Sequence, residues 1–426
     1  MRWRAPGWFQ QRLQVASLGT SQVTKILIVG GGIGGLAGAL ACSHSGAQVA
    51  LFERAAEFSE VGAGIQLGPN VVKVLHGWGL QDALAAVAAF PRRLQVCSAT
   101  SGAELGVLRL GAEIQARYGS PYATIHRADL QSLLLAALKQ QGRVQLNVGS
   151  TANRFVQHDA GVTLEFRQLN HDLEAHADAL VGADGLWSRV RQQLLNDGAP
   201  RATGHLAYRA MVAQSSLPER LRSQQVTAWL GPHLHVVQYP VRGGEWLNVV
   251  AIVEGKMVDD AENWDHSANA TDLQRHLAAS CTPLLDLIHA IDHWRLWGLS
   301  IRPPMRGAHE QAQGRVALLG DAAHPMLPYL AQGAGMAIED AAELARVLAG
   351  DAPASAGRPA SPSDVASRLG QYANRRWQRN AQVQARAIRN GQIFHATGPL
   401  RWGRDAAMRL LGESLLDLAW LYQGPR

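Results

Sequence analysis

The chain has 426 residues, 47% of them hydrophobic, and a formal net charge of +6. That length accommodates roughly two or three domains around a large core, and the composition excludes a disordered protein. The basic excess is scattered arginine with no block interleaved with aromatics, which argues against a nucleic-acid surface and fits attraction of small anions.

Residues 1–24 lack the apolar core of a signal peptide, so they read as a mobile tail or as the product of a start codon placed too far upstream. "KILIVG" (25–30) is a short apolar run, as expected of a parallel strand covered on both faces. Ile33, Leu36, Ala37, Leu40 and Ala41 then recur at helical spacing, and "QVALFE" (48–53) completes a β-α-β unit. A helix is predicted over 129–140 with Asp129 as its N-cap. Strands follow at 144–148, 162–167 and 177–182, with turns at Asp159–Gly161 and Asn170–Asp172. "HVVQYPV" (235–241) and "WLNVVAIV" (246–253) read as strands of a mixed sheet, with a helical stretch near 271–290. "RVALLG" (315–320) returns to the buried type, 351–364 is a Pro/Ala/Ser linker, and helices follow. There is no internal repeat and no apolar run near the ~18 residues of a membrane span. Cys42, Cys97 and Cys281 lie too far apart for a zinc site or a disulfide framework, so no metal is expected and a reducing cytoplasm fits.

"GGGIGG" is Gly30-x-Gly32-x-x-Gly35, directly after a strand and opening a helix. Gly30 permits a tight turn, Gly32 lets the backbone approach a pyrophosphate, and Gly35 lets helix and strand pack closely. Glu53, eighteen residues past Gly35, stands where an acid binds a ribose. One dinucleotide is implied, because no second such loop occurs. After Asp321 come seventeen residues, 322–338, without Asp, Glu, Lys or Arg. A neutral ribbon hung from one carboxylate is unusual for a surface loop and asks for something apolar to lie against.

"VGADGLWSRVR" (181–191) carries Asp184, Gly185, Ser188 and Arg191, and "GDAAHPMLPYLAQGAGMAIEDA" (320–341) carries Asp321, His324, Pro328, Gly333 and Asp340. With the glycine loop, these segments resemble the three motifs of the single-component FAD-dependent aromatic hydroxylases over residues 25–345. The resemblance implies an α/β fold: a Rossmann-type FAD-binding domain, an interleaved mixed β-sheet substrate domain and a C-terminal helical segment. It implies noncovalent FAD, external NAD(P)H, molecular oxygen and a flavin hydroperoxide. Asp321 would bind the ribitol or pyrophosphate, and the ribbon would lie along the isoalloxazine. Gly333, Ala334 and Gly335 would direct a helix N-terminus at the flavin pyrimidine. Arg54 and Arg127 would lie near FAD. Asp184 would contact FAD or act as a plain turn residue, and His324 would brace the loop.

The stretch 231–248 is similar to the monohydroxybenzoate hydroxylases, 3-hydroxybenzoate 6-hydroxylases in particular, as are 116–130 and 58–70. His235 would then be the phenol base and Tyr239 a substrate hydrogen-bond partner, four apart on one face of a strand; the alternative is a strand histidine satisfied by a neighbour. Pro328 stands in the substrate-facing ribbon where members acting on 3-hydroxybenzoate carry glutamine, and proline there is common in other relatives, salicylate and 4-hydroxybenzoate hydroxylases included. Arg209 and Arg242 are both candidates for a carboxylate partner. The best reading is 3-hydroxybenzoate converted to gentisate; the alternatives are salicylate to catechol, or a flavin reductase on the same scaffold. Expected partners are a small aromatic acid and oxygen, with no nucleic acid and no membrane, in a monomer or homodimer. NADH and NADPH stay equally open. The FAD-binding domain is expected over 25–92, 123–198 and 302–350, the substrate domain over 93–122 and 199–301, and a helical segment over 365–426. Residues 410–423 read as either core or dimer surface.

Overall fold

Lys25–Val29 is flanked by parallel strands on both sides, Gln48–Phe52 and Ala179–Gly182. This computed structural model describes residues 23–58, 63–255, 266–268, 270–350 and 364–425. The predicted tail (but for its last two residues) and all but the last residue of the 351–364 linker lie outside them. Val144–Asn147 and Val316–Leu318 extend the parallel set, and Ala312–Gln313 closes one edge antiparallel, making six strands. Alternation along the central strand explains its continuous apolar reading. Ile26 and Ile28 join one buried cluster with helices Ile33–His44 and Gly333–Ala349. Leu27 and Val29 join another, beneath an antiparallel sheet of Ser150–His158, Gly161–Gln168 and His171–Ala177. Across that second interface, the Phe52 and Phe166 rings meet tilted at 58°, with centroids 4.8 Å apart.

A second large sheet has eight strands, in the order His266–Ala268, Trp294–Ile301, Arg201–Ala213, Trp246–Glu254, Leu234–Val241, Val226–Gly231, Arg93–Ser98, Glu104–Arg109. Two stretches separated by about a hundred residues of sequence thus share one sheet, joined by the parallel pair Val226–Gly231 and Arg93–Ser98. Helices Ala270–Leu277 and Thr282–His289 cover one face. The other face looks toward the six-stranded unit. The 30-residue helix Val365–Phe394 runs along Gly333–Ala349 and reaches the turn Pro328–Leu330.

Several elements differ from their sequence reading. The helix at 127 begins two residues early, Arg127–Gln141, and His126 precedes it; Asp129 is no cap but holds Arg242 at 3.0 Å. The stretch 271–290 is two helices, the second carrying a proline in its first turn. Ser150–His158 and His171–Ala177 were not expected, because their outer faces are polar and exposed. At the C-terminus Leu421 and Tyr422 are buried, whereas Leu410 and Leu411 are exposed, so 410–423 is core only at its end.

Candidate active site

One cavity of about 520 Å³ runs from the glycine loop, past Asp321, to the eight-stranded sheet. At its first end, Gly30 adopts φ +108°, and a Cβ there would stand 2.3 Å from the Ala183 carbonyl oxygen. Only glycine meets both conditions. Gly35 is needed for packing, since its Cβ would meet the Gly30 oxygen at 1.8 Å. Gly32 is the extended residue before helix Ile33–His44, whose N-terminus therefore faces the cavity. Glu53 lines the cavity and accepts from the backbone N–H of Gly31 at 2.5 Å and of Ala55 at 2.8 Å. Arg54 and Arg127 line the same end.

Asp184 also lines the cavity, but its carboxylate is spent locally. It accepts from the Ser188 hydroxyl at 2.5 Å and from the N–H groups of Arg189 at 2.8 Å and Val190 at 3.2 Å. These are the hydrogen bonds of a turn residue, made by a side chain that also lines the cavity. Ser188 in turn caps helix Arg189–Leu195 through the Arg191 N–H. The buried Arg191 guanidinium donates to the carbonyls of Ala322 at 3.1 Å and Ala323 at 2.5 Å, buckling the second motif to the third.

Asp321 sits in the turn Gly320–Ala322 at the cavity wall, facing Gly333 at the start of helix Gly333–Ala349. The neutral ribbon after it is buried at Ala322, Ala323, Pro325, Leu327 and Tyr329, so a charge anywhere there would be desolvated. Ala331 lines the cavity at φ +52°, a left-handed conformation costing about 1 kcal/mol outside glycine. His324 braces the ribbon as expected: it is fully buried and its Nε2 meets Asp340 Oδ2 at 2.5 Å. Gly333 and Ala334 line the cavity, but Gly335 does not. A Cβ at Gly335 would stand 2.7 Å from Val71, so that glycine serves the contact with helix Pro69–Gly77.

Strand register builds the opposite wall. Trp297, Ala207, Ile252 and His235 form one row across four adjacent strands, and Arg209, Val250 and Val237 form the next. Period-2 alternation then turns His235, Val237 and Tyr239 into one cavity. The Arg209 guanidinium lies over the Trp297 ring at 3.7 Å, and its buried Nε has no hydrogen-bond partner. Burial, with the nearby Arg127 adding to it, pulls that guanidinium down to about 9, so it is still a cation at neutral pH. Arg242, the other candidate, pairs with Asp129 and does not line the cavity. Pro328 does line it.

The family model described as FAD binding domain matches residues 23–387. The chain belongs to the FAD binding domain family. Among curated relatives of this FAD-binding chain is the 3-hydroxybenzoate 6-hydroxylase of Polaromonas naphthalenivorans (strain CJ2), 35% identical over 401 residues covering 93% of this chain and 95% of that one. Another is the 3-amino-4-hydroxybenzoate 2-monooxygenase of Streptomyces cremeus, 37% identical over 402 residues, with 93% and 94% covered. Among solved structures, Klebsiella pneumoniae HpxO complexed with FAD and uric acid is similar with a TM-score of 0.78 at 26% identity, over 92% of this chain and 94% of that one. The resemblance read from the three motifs holds, and the chain is an FAD-dependent aromatic monooxygenase. FAD fits the residues present: a loop with no room for a Cβ at Gly30 or Gly31, two helix N-termini, two arginines and the Asp321 carboxylate converge on one elongated cavity. No helix among the described residues is long and apolar enough to cross a membrane.

Sequence reasoning missed Trp297 and His395. Trp297 had no motif around it. His395 follows the long helix and contacts His235 from 160 positions away, a proximity that no spacing rule reveals.

Proposed function

We propose that the chain hydroxylates the ring of a monohydroxybenzoate, with 3-hydroxybenzoate converted to gentisate as the leading case. The observation that supports this most is Arg209: a cation in the cavity wall, stacked on Trp297, with no ion pair to an acid among the described residues. A planar guanidinium in that setting suits a carboxylate on a flat ring. Tyr239 is kept protonated by burial and would donate to, or accept from, the phenol oxygen. His235, held neutral by burial, would accept the phenol proton at Nε2, since its Nδ1 faces His395. The ribbon from Pro325 to Pro328 would exclude water. In the same reading Gly30, Gly32, Glu53, Arg54 and Arg127 hold the nucleotide half of FAD, and Asp321, Gly333 and Ala334 hold the flavin half. Bound FAD would take electrons from NAD(P)H and activate molecular oxygen, from which the inserted oxygen atom comes. The division into a discontinuous FAD-binding domain and an interleaved substrate domain belongs to this proposal.

Pro328 supports a second reading. It lines the cavity and offers no side-chain donor, which favours salicylate converted to catechol. Oxidation of NADH and NADPH by the FAD-loaded enzyme, with 3-hydroxybenzoate, salicylate and 3-hydroxybenzyl alcohol in turn, tests both. One of the acids should stimulate and the alcohol should not. Stimulation by the alcohol alone would remove the carboxylate from the account.

A further inference from the structure

A buried histidine makes a poor proton store. His235 is 2% exposed, and burial, then His395 and His205, hold it well below the ordinary histidine range. A phenol titrates near 10, so a base weakened in this way leaves the proton on the phenol unless the proton moves on. The side chains behind His235 offer that onward route.

His235 Nδ1 lies 2.8 Å from His395 Nε2. His395 Nδ1 is buried without a hydrogen-bond partner and lies 3.8 Å from Glu254 Oε1. The Glu254 side chain is 45% exposed, and its Oε2 is 2.8 Å from Nδ1 of the exposed His233. From the cavity outward the order is therefore His235, His395, Glu254, solvent. We propose that these three side chains form a proton path that carries the substrate's phenolic proton out of the cavity. The proposal rests on the reading of the substrate as a phenol.

The steps balance without any oxidant or reductant. The phenolic O–H breaks as its proton goes to His235 Nε2. The proton on His235 Nδ1 passes to His395 Nε2, and the proton on His395 Nδ1 passes to the Glu254 carboxylate, across one water or a small rotation, and then to bulk water. Both imidazoles end neutral in the opposite tautomer. A proton entering from solvent runs the sequence backwards, restores both tautomers and reprotonates the product oxygen. The groups facing the pair suit passage over storage. His205, His233 and Arg404, added to burial, hold His395 down to about 3, so positive charge does not rest there. The Tyr329 hydroxyl is hydrogen-bonded to His205, and burial raises its titration, so it does not intercept the proton.

The path also gives a task to the end of the chain. His395 lies beyond the residues that the family model matches. It follows the long helix directly: its N–H donates to the Gly391 carbonyl at 3.2 Å, and its own carbonyl accepts from the His233 N–H at 3.2 Å. Arg404 fixes the same corner by donating to the carbonyls of Ile393 at 3.0 Å and Phe394 at 2.8 Å. His395 and Glu254 act through His235 and do not touch the substrate.

The test is stopped-flow mixing of the oxidised, FAD-loaded enzyme with 3-hydroxybenzoate and with salicylate, without oxygen, in weak buffer containing a pH indicator. Wild type should release a proton within the binding phase as phenolate absorbance appears. His395→Ala should bind the same ligand but release the proton at least roughly tenfold more slowly, and added imidazole should restore the rate. His395→Gln, which keeps the shape of the corner, should show the same slowing should the alanine variant lose FAD. Glu254→Gln should slow release by a smaller factor. Release at the wild-type rate in both His395 variants, or slowing that imidazole does not relieve, overturns the path while leaving substrate-stimulated NADH oxidation, and so the substrate reading, intact. If no monohydroxybenzoate stimulates the wild type, the substrate reading falls first and the path falls with it.

Discussion

Arg209 lies flat against Trp297 at 3.7 Å in a wall where its Nε meets no acceptor. A carboxylate placed there would gain a charge-assisted pair worth about 1.5–3 kcal/mol. Arg209→Gln should therefore raise KM for the aromatic acid roughly 10–100-fold and leave kcat much less affected, because the contact persists from ground state to transition state. Steady-state kinetics with the acid check this, and an unchanged KM would move the carboxylate elsewhere. Asp321 makes the complementary case at the other end of the cavity. It faces the N-terminus of helix Gly333–Ala349. Asp321→Ala should purify with little flavin, read as loss of the yellow absorbance bands, while remaining folded by circular dichroism. A fully yellow variant would contradict the role given to that carboxylate.

Helix Gly333–Ala349 is held by a buried ionic network at the element scale. Arg376, from the long helix, donates to Asp340 Oδ1 at 2.7 Å and to Glu339 Oε2 at 2.9 Å, and all three side chains are fully buried. Removing one partner strands a charge, so Arg376→Met should cost about 3–5 kcal/mol in chemical denaturation. Burial alone would raise Asp340, but His324 and Arg376 outweigh it and hold the carboxyl well below its usual range. A carboxylate lowered on folding contributes stability above its unfolded value of about 3.9 and loses it as pH falls through the folded value. The advantage of wild type over Asp340→Asn in thermal melts should therefore be full near neutrality and shrink below about pH 4. An advantage that grows on acidification would reverse the sign assigned to this network. The network also marks what was readable beforehand. Asp340 and His324 lie in the motif at 320–341, so their place beside the ribbon was legible. Arg376 lies on a helix whose only sequence signal is its periodicity, and partner choice across helices leaves no trace in spacing.

At the scale of the whole molecule, two sheets face each other across a cavity, with the glycine loop and the ribbon on one side and Arg209, His235 and Tyr239 on the other. The first side was legible because phosphate and flavin sites need glycines and helix starts at fixed spacing: Gly30 and Gly35 are forced by backbone clashes that any sequence must respect. The second side was only half legible. His235 and Tyr239 share a strand, so their alternation placed them together. Nothing in the sequence separated Arg209 from Arg242: register sets Arg209 in the row beside Val250, while Arg242 lies in the turn Arg242–Gly244 after its strand and pairs with Asp129. The measurement that tests the whole arrangement most directly is turnover under ¹⁸O₂ with 3-hydroxybenzoate and NADH, followed by mass analysis of the product. Gentisate should carry one labelled oxygen for each NADH consumed. NADH oxidation that yields only peroxide, or a ring product without label, with every monohydroxybenzoate offered, would contradict it.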